Sequence, residues 1–186
     1  KLPVIAESFT ERCGRWTDCA DSSTLRRRYH ESGQQFHDDL LERICAEEAR
    51  SGIRIDLVVL AYHRIIRGML LDYFKNRMIN QHPGDLTVRD AYGRRYRGMN
   101  AVEQALLSNE ARTRTTTFLV DAGMDTGPIL AQGPWVDCYS RTAAEHEAMQ
   151  KIVSDLPALQ FALRAIAHGH FGIGSARHGD GTPLVY

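Results

Sequence analysis

The chain has 186 residues, with 23 basic and 23 acidic side chains, so its formal net charge is zero. This length is enough for one domain with a sizeable core. A balanced charge does not indicate a nucleic-acid partner, and no apolar stretch is as long as a membrane span requires. The four cysteines are scattered without the paired spacing of a zinc site. We therefore expect reduced thiols in a cytoplasmic protein with no metal.

The first residues read Lys1-Leu2-Pro3-Val4-Ile5-Ala6, which is typical of a strand entered midway through a fold. We therefore expect a single domain, residues 1–186, that lacks its N-terminal segment. Apolar residues recur at helical spacing from Gln34 to Arg50, and Gly52 stands where a helix C-cap belongs.

A βαβ unit is predicted next. Residues 55–61 (Ile-Asp-Leu-Val-Val-Leu-Ala) are nearly all apolar, which is typical of a central parallel strand buried on both faces. Residues 69–74 predict a short helix, and residues 78–80 predict a second buried strand that Pro83 and Gly84 end. Strand, helix and strand in this order form a right-handed crossover.

The second half predicts a polar loop over 85–96, a helix after Asn100, and strands at 115–120 and 127–136. A long helix follows over 143–167, with a break at Pro157, and residues 171–186 form a candidate hairpin turning at Gly179-Asp180-Gly181. We therefore expect an α/β fold: an open, mainly parallel twisted sheet with helices on both faces, ending in a C-terminal hairpin.

Two short segments of the sequence contain side chains that are typical of catalytic sites. Asn80-Gln81-His82-Pro83 lies at a predicted strand end, the edge where open α/β sheets bind ligands, and it offers an amide and a group that titrates near neutral pH. In isolation this would be a polar strand end without a role. The second element, Val120 to Leu130, contains Asp121, Gly123, Asp125 and Gly127. Alone it could be a turn, or Asp125 could orient a histidine.

Together these elements resemble the folate-dependent formyltransferases, and within them the phosphoribosylglycinamide formyltransferases most closely. The family pattern is Asn-x-His-Pro, then Arg-Gly, Glu-x-Ala-Leu and Val-Asp-x-Gly-x-Asp-x-Gly-Pro-Ile. The matching segments stand in the same order at Asn80–Pro83, Arg97–Gly98, Glu103–Leu106 and Val120–Ile129. The strand at 56–61 and the following Arg64-Ile65-Ile66 match the segment that leads into the family's folate pocket.

The sequence departs from that pattern at several places. Phe118 replaces the histidine that the family usually carries seven residues before its catalytic aspartate. The loop between His82 and Arg97 is longer, and one residue is missing around Tyr62-His63. The opening strand and the Gly-Ser-Asn loop, which would bind an acceptor phosphate, are not found in this sequence. The resemblance therefore supports the fold and the formyl-donor chemistry better than it supports the identity of the acceptor.

The resemblance implies a formyltransferase-like fold that transfers a formyl group from 10-formyltetrahydrofolate to a primary amine. It implies that Asn80 and His82 donate hydrogen bonds to the developing oxyanion and that Asp125 holds His82 and helps to move a proton. The pterin would be bound by two segments, Arg64-Ile65-Ile66 and Ala122-Gly123-Met124.

The identity of the acceptor stays open at this point. Glycinamide ribonucleotide is one candidate; an amino sugar, a modified amino acid or a peptide intermediate is another. A hypothesis of a different class is a non-catalytic folate-binding or regulatory module. We expect a small-molecule amine acceptor and no nucleic-acid or membrane partner, and a homodimer is left open. Among the other histidines, His146, His168 and His170 are expected at the surface or as caps. Arg94, Arg95 and Arg97 are expected either as solvated charges or as contacts to an anionic substrate.

Overall fold

The computed structural model describes residues 3–179 and 181–186. The chain divides into two compact units, which are described separately. The first contains residues 1–58 and 64–75, and the second contains residues 59–63 and 76–186. The assignment of all 186 residues to a single domain stays a prediction. Within the described ranges, none of the helices combines the length and apolarity that crossing a membrane requires.

The first unit is helical. Its helices are α1 (Phe9–Cys13), α2 (Ser23–Ser51) and α3 (Met69–Tyr73), with a 3-10 turn at Trp16–Asp18. Ser22 caps α2 by accepting the Leu25 N–H. Gly52 ends α2 in the left-handed conformation, as the sequence predicts. The helix begins earlier than its apolar periodicity indicates. Residues 3–6, read as a strand from sequence, are not in a strand.

The second unit is built on a four-stranded sheet. Its strands are β1 (Val58–Val59, of which Val58 is counted with the first unit), β2 (Met78–His82), β6 (Thr116–Leu119) and β7 (Ile129–Gln132), which lie side by side in that order. Three two-stranded pairs accompany it: β3 (Arg89–Asp90) with β4 (Gly93–Arg94), β5 (Arg112–Thr113) with β8 (Val136–Asp137), and β9 (Ile173–Arg177) with β10 (Pro183–Val185).

The α/β class is confirmed, and the sheet contains parallel pairing. The expectation that it is mainly parallel needs correction, because β2–β6 and β6–β7 are antiparallel. The loop 120–128 joins β6 to β7 without a crossover helix, which permits only an antiparallel pair. The predicted central strand at 55–61 is also shorter, since β1 spans only Val58–Val59 and lies at an end of the described strand order. The Val59 side chain is exposed.

The helices of the second unit are α4 (Ala101–Leu107), α5 (Ala143–Gln150) and α6 (Leu156–Ala167). One π-helical turn, Lys151–Asp155, separates α5 from α6, and Pro157 stands in the first turn of α6. A break or kink was predicted at Pro157, but the backbone stays helical through that residue, and the irregularity is the π-helical turn just before it. Proline lacks the N–H that a continuous α-helix needs at this place. Small residues, Ala158, Ala162 and Ala165, line the buried face of α6, which contacts β6 and β7.

Two further predictions concern the C-terminus and the 85–96 segment. The terminal hairpin is confirmed by antiparallel pairing of β9 with β10, while Asp180 of its turn lies outside the described residues. The segment 85–96 is not simply a polar loop. It contains the β3–β4 hairpin, and its side chains Asp85, Leu86, Arg94 and Tyr96 are buried.

Candidate active site

Asn80 and His82 share one face of β2, because side chains two residues apart on a strand point to the same side. The strand lies between β1 and β6, and its register places Asn80 opposite Phe118 and His82 opposite Thr116. Met78 and Ile79, which precede the pair, are buried. The polar end of β2 is therefore fixed by core packing on the same strand.

The turn after His82 is fastened to β6. The Thr116 hydroxyl donates to the carbonyl oxygen of Gly84 at 2.8 Å and accepts the Leu86 N–H at 3.1 Å. A Cβ at Gly84 would lie 2.9 Å from the Tyr96 carbonyl oxygen and 3.0 Å from His82 Nε2. Residue 84 must therefore be glycine for the chain to pass so close to the His82 ring.

The loop that carries Asp125 has a shape dictated by its own residues. Asp121 Oδ1 accepts the Gly123 N–H at 3.0 Å and the Thr126 hydroxyl at 2.7 Å. A Cβ at Gly127 would stand 1.7 Å from the Leu119 carbonyl oxygen. Asp125 itself adopts a positive φ of 55°. The aspartates and glycines of this motif therefore fold the loop so that Asp125 is presented from a strained backbone position.

The structure brings His82 and Asp125 together. Asp125 Oδ2 lies 3.4 Å from His82 Nδ1 and accepts the Gly98 N–H at 2.8 Å. Arg94 donates from Nη1 to the Asp125 carbonyl oxygen at 2.9 Å. The carboxylate is thus held by a main-chain N–H, and its backbone is held by a buried guanidinium.

The proton on His82 can be assigned from its neighbours. Nε2 lies 2.6 Å from the Tyr96 carbonyl oxygen, which is only an acceptor, so Nε2 carries a hydrogen and donates it. The ring therefore gains or loses its second proton at Nδ1, the atom that faces Asp125. At 3.4 Å this contact is longer than a formed charge-assisted hydrogen bond. Such contacts often tighten only when substrate binds.

Burial lowers the pKa of His82 below its usual 6.5, and this effect outweighs the negative charge of Asp125, which raises it. The Tyr96 carbonyl and Asp155 also raise the pKa, whereas the nearby Arg94 lowers it. His82 is therefore neutral at pH 7, and a tighter contact with Asp125 would favour its protonation.

Asn80 supplies an amide at the same strand end. Its side-chain oxygen accepts the Gln81 N–H at 2.9 Å, so its NH₂ group is the end that can donate to a ligand. The buried ring of Phe118 stands opposite it on β6. Where the family usually carries a histidine, this chain therefore places an apolar wall beside Asn80.

The two segments expected to bind the pterin lie in different units. In the first unit, Ile66 is buried in the core, Ile65 is exposed, and the Arg64 guanidinium lies 5.7 Å from the ring centroid of Phe9. Ile66 therefore contributes to packing, which leaves Ile65 as the apolar side chain able to meet a ligand. In the second unit, Ala122, Gly123 and Met124 are exposed. Their binding role stays a prediction.

Sequence reasoning missed several partners of the site. The Tyr96 carbonyl, the Gly98 N–H and the Arg94 guanidinium contact His82 or Asp125, although Arg94 was expected to be a solvated charge or a substrate contact. Only the Arg97-Gly98 match pointed to this segment. His146 was expected at the surface, but it is fully buried in α5. Within the described ranges, no cluster of three His, Cys, Asp or Glu side chains could hold a metal ion.

An α/β fold with a histidine–aspartate pair at a strand end defines a class of proteins. Comparison with known proteins identifies the family within this class. Residues 23–152 match the family described as formyl transferase. This match covers more than half of the chain, so the protein belongs to the formyl transferase family.

Two curated relatives and one solved structure illustrate the similarity. The phosphoribosylglycinamide formyltransferase of Mycobacterium tuberculosis is 42% identical over 136 residues, which are 70% of this chain and 57% of the relative. The methionyl-tRNA formyltransferase of Halorhodospira halophila is 34% identical over 119 residues, 62% of this chain and 36% of the relative. The crystal structure of glycinamide ribonucleotide transformylase 1 from Symbiobacterium toebii has a TM-score of 0.53 at 30% identity, covering 75% of this chain and 60% of that one.

This chain therefore spans between about a third and three fifths of the length of these relatives. Family membership and the α/β fold are shown by these matches. The donor, the acceptor and the catalytic residues of this chain are therefore proposed.

Proposed function

We propose that the protein transfers a formyl group from 10-formyltetrahydrofolate to a primary amine, with Asn80, His82 and Asp125 as the reaction centre. The observation that carries the proposal is the 3.4 Å approach of Asp125 Oδ2 to His82 Nδ1, between residues far apart in sequence. Membership of the formyl transferase family supports the donor chemistry.

The chemistry requires an oxyanion donor and a proton carrier. The amine nitrogen attacks the formyl carbon, the carbon–oxygen double bond opens to an oxyanion, and the bond from carbon to the folate nitrogen then breaks. The amine loses a proton and the folate nitrogen gains one. The Asn80 NH₂ group donates to the oxyanion, and preorganised donors of this kind often contribute most to catalysis.

His82 completes the donor set after one local change. Its Nε2–H is directed at the Tyr96 carbonyl oxygen, 2.6 Å away, rather than at an open position. In the productive complex this N–H exchanges that carbonyl for the formyl oxygen. Protonation at Nδ1, beside Asp125, then strengthens the donor as negative charge develops. Asp125 accepts or returns that proton as the reaction proceeds.

The folate is proposed to contact the exposed Ala122–Met124 loop of the second unit, and a role for Arg64, Ile65 and Ile66 of the first unit is proposed separately, from the family resemblance. The loop fits this role because Asp121 and Thr126 hold its shape from within, leaving the Met124 side chain at the surface. A flat heterocycle suits a preformed edge of this kind, with apolar contact and a few polar groups. Within the Arg64–Ile66 segment, Arg64 and Ile65 are the side chains that the core of the first unit does not bury.

Among acceptors, glycinamide ribonucleotide is the first candidate, supported by the 42% identity to a phosphoribosylglycinamide formyltransferase. An amino sugar, modified amino acid or peptide intermediate is the alternative. Two features of this chain favour it: Phe118 makes the wall beside Asn80 apolar, and the β3–β4 hairpin lengthens the segment that holds Asp125. Acceptor selection is a separate property from donor chemistry, so the two are tested separately.

The test is a spectrophotometric folate assay on the full-length protein. It uses 10-formyltetrahydrofolate with a panel that includes glycinamide ribonucleotide, methionyl-tRNA, amino sugars and amino acids. The proposal predicts acceptor-dependent release of tetrahydrofolate with at least one amine. His82→Asn is the matched variant and should lower the rate of that release about a hundredfold or more. Folate binding in calorimetry without transfer to any amine would instead support a binding or regulatory module.

A further inference from the structure

A cavity of about 480 Å³ lies between α6, β7 and the C-terminal hairpin, and all of its lining residues belong to the second unit. Pro157, Phe161, Arg164 and His168 line it along α6 and the residue that follows this helix. Residues three and four positions apart lie on one face of a helix, so these side chains form a single stripe. The volume is within the range of small-molecule sites, roughly 300–1,000 Å³.

Aromatic side chains form much of the wall of this cavity. Phe161 and Phe171 pack edge to face, with their ring centroids 6.4 Å apart. The Tyr186 ring lies against Gly172, where a Cβ would stand 2.7 Å from Cε2 of the tyrosine. Two backbone hydrogen bonds between Gly172 and Tyr186, of 2.6 and 3.0 Å, hold the chain at this place. Because 60% of Phe161 and 77% of Tyr186 is exposed, both rings keep open surface that a ligand can cover.

The cavity is also lined by three basic side chains, Arg164, His168 and His170. The two imidazole rings stack with their centroids 5.5 Å apart. Neither Asp nor Glu occurs among the lining residues, all of which the structure describes. Within the described part of the chain, the Arg164 guanidinium forms no ion pair. A guanidinium in this setting matches an external carboxylate, which it binds through two parallel hydrogen bonds.

We propose that this cavity binds a small aromatic carboxylate, whose ring contacts Phe161 and Tyr186 and whose carboxylate contacts Arg164. The aromatic walls supply apolar area and favourable stacked or edge contacts to another ring. The guanidinium complements the negative charge, and the two imidazoles supply further hydrogen-bond donors. The site is separate from the proposed reaction centre, none of whose residues lines the cavity.

The probe is 2-naphthoate, titrated calorimetrically into the full-length protein at low ionic strength, without folate or amine. We expect a dissociation constant of about 1 mM or lower for a ligand of this size. The uncharged 2-naphthalenemethanol should bind at least about fivefold more weakly, because it offers the guanidinium no charge. Cyclohexanecarboxylate should also bind more weakly, because it has no aromatic face. Added salt should weaken the binding of 2-naphthoate but not that of the alcohol.

Two variants place the probe in the cavity. Arg164→Gln removes the charge and should weaken 2-naphthoate binding about fivefold. Phe161→Ala removes an exposed part of the aromatic wall and should weaken it about fivefold or more. The matched controls are Arg28→Gln in α2 and Leu156→Ala at the start of α6, which make similar changes at exposed positions outside the cavity. Both controls should bind 2-naphthoate as the wild type does.

The absence of 2-naphthoate binding at millimolar concentration would overturn the proposal. Binding that either Arg164→Gln or Phe161→Ala leaves unchanged would also overturn it, because the probe would then contact another part of the molecule. A third contradicting result is a dimer in analytical ultracentrifugation that Phe161→Ala dissociates, since the aromatic wall would then be covered by a second copy of the chain. Binding that both variants weaken and both controls keep upholds the site, whether or not the protein transfers a formyl group.

Discussion

Replacing Asp85 by asparagine should destabilise the second unit, because this carboxylate fastens the segment between His82 and Arg94. Its Oδ2 accepts from Arg114 Nε at 2.9 Å. Its Oδ1 accepts from the Thr87 N–H at 2.9 Å and from Gln132 Nε2 at 2.6 Å. Only 2% of Asp85 is exposed. Water therefore has little access to the carboxylate itself.

The size of the expected loss of stability depends on which hydrogen bonds the asparagine side chain keeps. Asparagine keeps an oxygen for Thr87 and Gln132 but turns an NH₂ group toward the Arg114 donor. Loss of a hydrogen bond between charged groups costs about 1.5–3 kcal/mol, and breaking a buried ion pair costs more. The Arg114 side chain is 22% exposed, so solvent recovers part of this. We expect a loss of about 2–3 kcal/mol.

Urea unfolding followed by tryptophan fluorescence measures this loss. Trp135 lies 4.0 Å from the Arg114 guanidinium in the second unit, and a Trp16→Phe background makes it the sole tryptophan. The midpoint should fall by roughly 1 M urea. The control is Asp90→Asn in the same 85–96 segment, where an exposed carboxylate accepts only from the Tyr92 N–H among the contacts described. That variant should lose less than about 0.5 kcal/mol. Equal midpoints for the two variants would refute the role given to Asp85.

Three other predictions concern the loop, the first unit and the site. Gly127→Ala places a Cβ 1.7 Å from the Leu119 carbonyl oxygen of β6. The resulting shift of the loop should displace Asp125 and reduce turnover at least about tenfold. The control Gly179→Ala has open space around its Cβ and should leave turnover unchanged. Burial lowers the pKa of His37 to about 4. As pH falls from 6.5 to 4, the histidine is therefore protonated in the unfolded state before it is protonated in the folded state. The free energy of unfolding of the first unit should fall by up to about 3 kcal/mol over this range. His37→Gln should flatten that dependence in pH-dependent urea unfolding. Arg94→Met removes the donor to the Asp125 carbonyl and should lower kcat about tenfold with little change in the KM for folate.

The sequence predicts the elements whose determinants are local. The Gly52 cap, an irregularity of the helix next to Pro157 and the terminal hairpin follow from single residues or short periodicities, and each is present. The extent of the strand at 55–61 depends on neighbours that its own residues do not encode, so the run of apolar residues misjudged both its length and its place.

The candidate site also has one part that the sequence predicts and another part that it does not. The proximity of Asp125 to His82 was predicted because a histidine donor needs a partner, and the geometry agrees. The partners that could not be predicted act through main-chain atoms or through long-range packing. The Tyr96 carbonyl and the Gly98 N–H have no side-chain signature in the sequence.

The most direct test of the central claim is a double-mutant cycle on kcat for His82→Asn and Asp125→Asn in the full-length protein. Because the two groups act in one step, each single variant should lose about a hundredfold or more in kcat while folate affinity changes little. The double variant should be little slower than the slower single variant, since the groups work as a unit. Full activity in either single variant, or losses that simply multiply in the double variant, would contradict the proposal that His82 and Asp125 form one reaction centre.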